Sequence, residues 1–135
     1  MTYYLDTSAA AKLVKPETET PALASVISRA EGLFGHRALV SADLLQTELI
    51  ATVLRAHLPL SHAIRVMSGV YLIRMTPEIC EAAGSLAGER GLRSLDAFHL
   101  AVAVSLRASL TGIITYDARM AEAAMSLGFV VESPR

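Results

Sequence analysis

The 135-residue chain has no tryptophan, one cysteine and only 5% aromatic residues. A single cysteine, Cys80, excludes an internal disulfide, so the chain reads as cytoplasmic. Cys80 falls in a helical pattern with no base beside it, and we expect a small core residue there rather than a nucleophile. So few aromatics argue against an extensive base-stacking platform. Hydrophobic residues make up 53% of the chain and the mean hydropathy is +0.44. Even so, no uninterrupted apolar stretch reaches the roughly 18 residues of a membrane span. The richest stretch, Leu95 to Leu106, is broken by Asp96, His99 and Ser105. The N-terminal run lacks a basic segment and meets Asp6, so it does not read as a signal peptide. Low-complexity tracts, long charge runs and internal repeats are missing too, and the histidines make no zinc-ligand spacing. The net charge of −1 gives no electrostatic sign of a nucleic-acid partner.

What is present is an alternation of short β-like runs and helical patterns. The length fits one domain over residues 1–135, large enough to bury roughly two-thirds of its unfolded surface. Strands are expected at Thr2 to Leu5, Ala38 to Ser41, Val70 to Arg74, Gly112 to Thr115 and Phe129 to Glu132. Between them, helices are expected at Thr7 to Val14, from Thr20-Pro21 to about Gly32, from Asp43 as cap to His57, and from Ser61 to near Gly69. Further helices are expected from Thr76-Pro77-Glu78 to Gly91, from Ser94 as cap through Ser109, and from Tyr116 or Asp117 to Gly128. Strands separated by helices imply right-handed crossovers and a mostly parallel sheet of about five strands, covered on both faces.

Four acids stand out against this frame: Asp6, Glu48, Asp96 and Asp117. Asp6 and Asp117 follow apolar strand patterns, where open α/β sheets place their sites. They meet if the first and fourth strands are neighbours. Asp96 lies in the first turn of a very apolar helix, whose N–H groups favour negative charge. Glu48 follows Leu44 by one helical turn and points inward. Carboxylates beside core residues are rarely tolerated unless paired or bound to a metal, so a hard-cation site is the leading reading. An all-oxygen set suits Mg²⁺ or Mn²⁺. Each acid also has a plainer explanation: Asp6 and Asp117 as helix caps, Asp96 as a dipole partner, Glu48 in a salt bridge with Arg55 or another base. His99, one turn beyond Asp96, either bonds that carboxylate or packs as a buried histidine. Setting the four acids aside leaves nine acids against twelve Lys and Arg, a remainder of +3 that is compatible with RNA.

The stretches YLDTSAAAKL, LQTELIATVLR, LRSLDAFHLAVA and GIITYDARMAEAAMSLGF, in this order, resemble PIN-domain ribonucleases, and among them the VapC-type toxins of bacterial toxin–antitoxin pairs. The resemblance spans nearly the whole chain and implies a PIN-like three-layer α/β/α sandwich. It puts the family's acidic quartet on Asp6, Glu48, Asp96 and Asp117, and hydroxyl helpers on Ser8 and Thr115. It implies a Mg²⁺- or Mn²⁺-dependent endoribonuclease. Asp6 and Asp96 would be the main ligands, Asp117 would complete the set or act through water, and Glu48 would hold a metal-bound water or a second metal. Products carrying a 5′-phosphate and a 3′-hydroxyl are implied, as is a small VapB-type antitoxin, and the apolar content fits a homodimer. Lys12, Lys15, Arg90, Arg93 and Arg119 lie near the acids in sequence and are candidates for RNA phosphate contact. Two alternatives stay open. A haloacid-dehalogenase-like phosphatase would use Asp6 as nucleophile, although Ser8 stands where a second Asp is normal. A PIN-like module without catalysis would only bind.

Overall fold

The computed structural model describes residues 2–135. Its sheet has five strands, all parallel: β1 (Thr2–Leu5), β2 (Leu39–Ala42), β3 (Tyr71–Ile73), β4 (Leu110–Ile114) and β5 (Val131–Glu132), in the order β3-β2-β1-β4-β5. The chain winds from β1 outward to β3, then crosses back to β4 on the other side of β1. The strand order therefore reverses at β1 and β4, which pair from Tyr3 opposite Gly112 to Leu5 opposite Ile114. A crevice outside the carboxyl ends of those two strands is where such a sheet places its chemistry.

Among the described residues seven α-helices cover the two faces. Strand alternation divides the core, because successive side chains point to opposite faces. Leu5, Leu39 and Ile114 pack against α1 (Thr7–Val14), α2 (Thr20–Phe34), α3 (Leu44–Arg55) and α4 (Leu60–Ser68) through Ala10, Leu23, Leu49 and Ala63. Tyr4, Val40 and Ile113 point the other way, onto α6 (Ser94–Ser105) and α7 (Ala118–Ser126) through Leu100, Val102 and Met120. Helix α5 (Pro77–Arg90) lies on α6 through Ala83, Ala97 and Ala101. The result is the expected α/β/α sandwich.

Local signals set most boundaries. Thr76 Oγ1 accepts from the Ile79 N–H and caps α5, and Gly91 ends it at φ 66, a left-handed conformation that suits glycine. Asp117 caps α7 by accepting from the N–H groups of Arg119 and Met120. Other expected caps do not form. Asp43 sits at the start of α3 with helical φ −63 and ψ −17, which turns its side chain away from the first N–H groups. Ser94 is the first helical residue of α6 rather than its cap. Arg93 takes the cap position, and the helix stops at Ser105, short of a 3₁₀ turn at Arg107–Ser109. Cys80, expected inside, is exposed. The inward stripe of α5 runs through Ile79, Ala83 and Leu86, and Cys80 stands about 100° around the helix from Ile79. Among the described residues no helix is long and apolar enough to cross a membrane.

Candidate active site

Asp6 follows β1 directly, and its N–H donates to the Ile114 carbonyl of β4 at 3.0 Å, which ties the two strand ends together. Its side chain is nearly inaccessible, with the residue 5% exposed. Two hydroxyls hold it: Ser8 Oγ and Thr115 Oγ1 each donate to Oδ2 at 2.8 Å. Those hydroxyls are themselves fixed by backbone, since the Tyr116 N–H donates to Ser8 Oγ at 2.9 Å and the Asp117 N–H to Thr115 Oγ1 at 3.1 Å. Ser8 and Thr115 thus both reach Asp6. With Oδ2 so occupied, no described residue donates to Oδ1.

Glu48 comes from α3, in the same layer as α1. Its Oε1 accepts from Thr7 Oγ1 at 2.7 Å and from His99 Nε2 at 2.7 Å. His99, on α6, is buried and bonds Glu48 rather than Asp96, one turn before it. Behind it, the Tyr4 hydroxyl donates to His99 Nδ1 at 2.6 Å and accepts from the Ala42 N–H at 3.1 Å. In the neutral ring, hydrogen on Nε2 satisfies every partner in this chain, and in the protonated ring Nδ1–H donates to the Tyr4 oxygen instead. A polar relay, Ala42–Tyr4–His99–Glu48–Thr7, therefore runs from within the sheet to the crevice and joins both layers. Burial works against the charge of Glu48, but the hydrogen bonds from His99 and Thr7 outweigh it and hold the carboxyl below its usual range. Burial likewise disfavours a charged His99. The Glu48 hydrogen bond and the charges of Asp6, Glu48 and Asp96 more than offset it, so the imidazole keeps its second proton to a higher pH than a free histidine.

Asp96 and Asp117 complete the rim. Asp96 lies in the first turn of α6, and Asp117 uses Oδ1 to cap α7. Arg93 spans them: Nε donates to Asp96 Oδ2 at 3.0 Å and Nη2 to Asp117 Oδ2 at 3.3 Å. All four acids line one cavity of about 360 Å³, together with Thr7, Ser8, Arg93 and His99. A second cavity of about 480 Å³ adjoins it, sharing Arg93 and Asp96 and adding Arg90, Arg119 and Glu122.

The donors present fit a hard divalent cation. They are oxygens only, and Oδ1 of Asp6, Oδ1 of Asp96 and Oε2 of Glu48 accept no hydrogen bond from the described residues. Among those residues no three His, Cys, Asp or Glu side chains stand close enough to ligate one ion as they are. The guanidinium of Arg93 occupies two of the carboxylates instead. Lys12 is engaged elsewhere, bridging Glu17 and Glu19 and lying 4.7 Å over the Tyr116 ring. Lys15, Arg90 and Arg119 are exposed. Sequence reasoning missed Tyr4 and Thr7, and it missed the bridging by Arg93. Only the spacing of Arg93 and Asp96, three residues apart at a helix start, signals such a contact in advance.

A family model described as PIN domain matches residues 3–125. Among its relatives, a Mycobacterium tuberculosis protein named Ribonuclease VapC47 is 35% identical over 133 residues, covering 97% of this chain and 96% of its own. Ribonuclease VapC46 of the same species is 33% identical over 132 residues, with the same coverage. The fold is shared more widely. The structure of M. tuberculosis VapC20, described as a Sarcin-Ricin loop cleaving toxin, superposes with a TM-score of 0.71 at 16% identity, covering 98% of this chain and 99% of that one. A chain of a toxin–antitoxin complex from Klebsiella pneumoniae does so with a TM-score of 0.69 at 19% identity, covering 98% of each. With a family match across most of its length and relatives a third identical from end to end, this chain belongs to the PIN domain family.

Proposed function

We propose that the chain is an endoribonuclease that hydrolyses RNA phosphodiesters with bound Mg²⁺ or Mn²⁺, and that it is the toxin of a toxin–antitoxin pair. The observation that carries this reading is the convergence of Asp6, Glu48, Asp96 and Asp117 on one cavity, with three carboxylate oxygens that accept from none of the described residues. Asp6, Asp96 and Asp117 would hold the cation, with Glu48 beside them. A divalent cation there lowers the pKa of water and offsets charge developing on the phosphate. Ser8 and Thr115 fix Asp6 in one rotamer, so its free oxygen is already oriented before substrate arrives. Glu48 is held by Thr7 and His99 through Oε1 and keeps Oε2 to accept a proton from the attacking water. The water oxygen bonds to phosphorus as the bond to the 3′-oxygen breaks, and the proton ends on that oxygen. The products are a 5′-phosphate and a 3′-hydroxyl.

The adjoining cavity supports the substrate assignment. Arg90, Arg93 and Arg119 line it beside the acids, where an extended phosphate backbone leaving the site would pass. Lys12 does not belong to this contact set, because its ammonium is paired with Glu17 and Glu19. The relatives named ribonucleases and the toxin–antitoxin neighbour support an antitoxin partner. Exposed Leu54, Leu60 and Ile64 on α3 and α4 suit a protein contact, and a homodimer is part of the proposal. Purified protein incubated with total RNA and Mg²⁺ or Mn²⁺ tests the reading. Wild type should cut and Asp96→Asn should not. If both fold and neither cuts any RNA, the reading fails.

A further inference from the structure

The four-acid cavity already contains the guanidinium of Arg93. This residue caps α6, and its backbone is fixed: its carbonyl accepts from the Ala97 N–H at 2.9 Å, and the chain turns just before it at Gly91, φ 66. The side chain is held only at its tip. It is 59% exposed, and its two ion pairs reach Asp96 and Asp117, which come from different helices. Exposed ion pairs of this kind bind weakly and open readily. The same side chain borders both cavities, so it can leave the acids for the arginine-lined cleft without any movement of backbone. In that cleft it would join Arg90, whose Nη1 donates to the neutral Ser126 hydroxyl at 3.0 Å.

We propose that Arg93 is an exchangeable counter-cation of the acidic site: it occupies Asp96 and Asp117 while the site holds no metal, and a divalent cation displaces it into the Arg90–Arg119 cleft. The inference rests on the metal-dependent reading above but concerns a different event, the exchange of one cation for another. Two facts favour exchange over a permanent structural bridge. Arg93 takes Oδ2 of both acids while Oδ1 of Asp96 stays free, so its departure leaves a carboxylate fully open to a metal. Among the described residues no three acids close on one ion as they stand, and the guanidinium engages two of the four. The exchange would couple the two cavities: filling the first adds a free arginine to the second, where a phosphate needs it.

The test is calorimetric titration of Mn²⁺ into chelator-stripped full-length protein without RNA, comparing wild type, Arg93→Gln and Arg93→Lys. Arg93→Gln should bind Mn²⁺ roughly three- to tenfold more tightly than wild type, the scale set by two exposed ion pairs. Arg93→Lys keeps a cation and should stay near wild type. Equal or weaker binding by Arg93→Gln overturns the proposal, as does an absence of Mn²⁺ binding in all three. Detectable binding by Arg93→Gln alone supports it. A second measurement needs no variant: the side-chain Nε–H resonance of Arg93 in wild type should move when Mg²⁺ saturates the protein, and a fixed resonance contradicts release. Failure of the nuclease reading is separable. Wild type that cuts RNA while Arg93→Gln shows unchanged Mn²⁺ affinity sinks the exchange alone, and an intact exchange in a protein that never cuts RNA sinks the nuclease alone.

Discussion

Removing one oxygen tests the buried relay. In Tyr4→Phe the ring, 0% exposed, keeps its packing and only the hydroxyl is lost. That hydroxyl serves two buried groups, accepting from the Ala42 N–H at 3.1 Å and sharing a hydrogen bond with His99 Nδ1 at 2.6 Å. Phenylalanine gives neither a partner, and no water-sized opening is expected beside a fully buried ring. Each buried polar group left without a partner costs about 1–3 kcal/mol, so the two together cost roughly 2–4 kcal/mol once the small gain from a less polar ring is allowed for. At about 4 °C per kcal/mol for a chain of this size, the metal-free melting temperature should fall by roughly 8–16 °C. Urea unfolding followed by circular dichroism, with chelator present, measures the free energy directly. A cycle with His99→Leu separates the pair from its surroundings: the double variant should lose less than the two single losses combined, by at least about 1 kcal/mol. A Tyr4→Phe protein within about 0.5 kcal/mol of wild type, or strictly additive losses, would show that the relay is a geometric coincidence.

Three further outcomes follow from the same geometry. Saturating Mg²⁺ or Mn²⁺ should raise the melting temperature, because a ligand held at one hundred times its dissociation constant adds about 2.7 kcal/mol; equal melting temperatures in Mg²⁺, Mn²⁺ and excess chelator would count against the metal site. In metal-free protein the raised His99 pKa contributes stability that is complete below about pH 6.5 and is lost as pH rises through the folded-state value. The lowered Glu48 pKa contributes stability present above its unfolded value and lost as pH falls through the folded one. Unfolding free energy should therefore decline from slightly acidic to alkaline pH in wild type and flatten in His99→Gln, and a matching slope in both proteins would refute the pairing. Gly112→Ala would place a Cβ 2.9 Å from the Val130 carbonyl oxygen, so it should lower the urea midpoint by an amount corresponding to about 1–3 kcal/mol; an unchanged midpoint would contradict that close approach.

The four acids were legible because each sits on a strong local pattern, a strand end or the inward face of an apolar helix. Their convergence was legible only conditionally, since it depended on β1 and β4 being neighbours, and they are. What stayed hidden was whatever depends on reach across elements. Glu48 found its partner fifty-one residues away in His99, not in Arg55 on its own helix. Arg93 looked like one of several surface cations, and only the juxtaposition of α6 with the start of α7 gives it two carboxylates. Asp43 and Ser94 show the limit of residue-type rules. Both are favoured capping residues, but capping is decided by backbone angles, and at these positions the chain is already helical. Cys80 failed for a simpler reason: one residue of helical phase separates the core from the solvent.

The most direct measurement is the single-turnover rate of RNA cleavage by wild type and by Asp6→Asn in Mn²⁺. Asp6 is the acid most completely fixed by its surroundings, and asparagine keeps its shape and an acceptor for Ser8 and Thr115 while removing the charge. Wild type should cleave and the variant should lose about a hundredfold or more in rate, consistent with removal of a metal-binding group, with both proteins folded. An Asp6→Asn protein that cuts RNA as fast as wild type would contradict the metal-dependent reading.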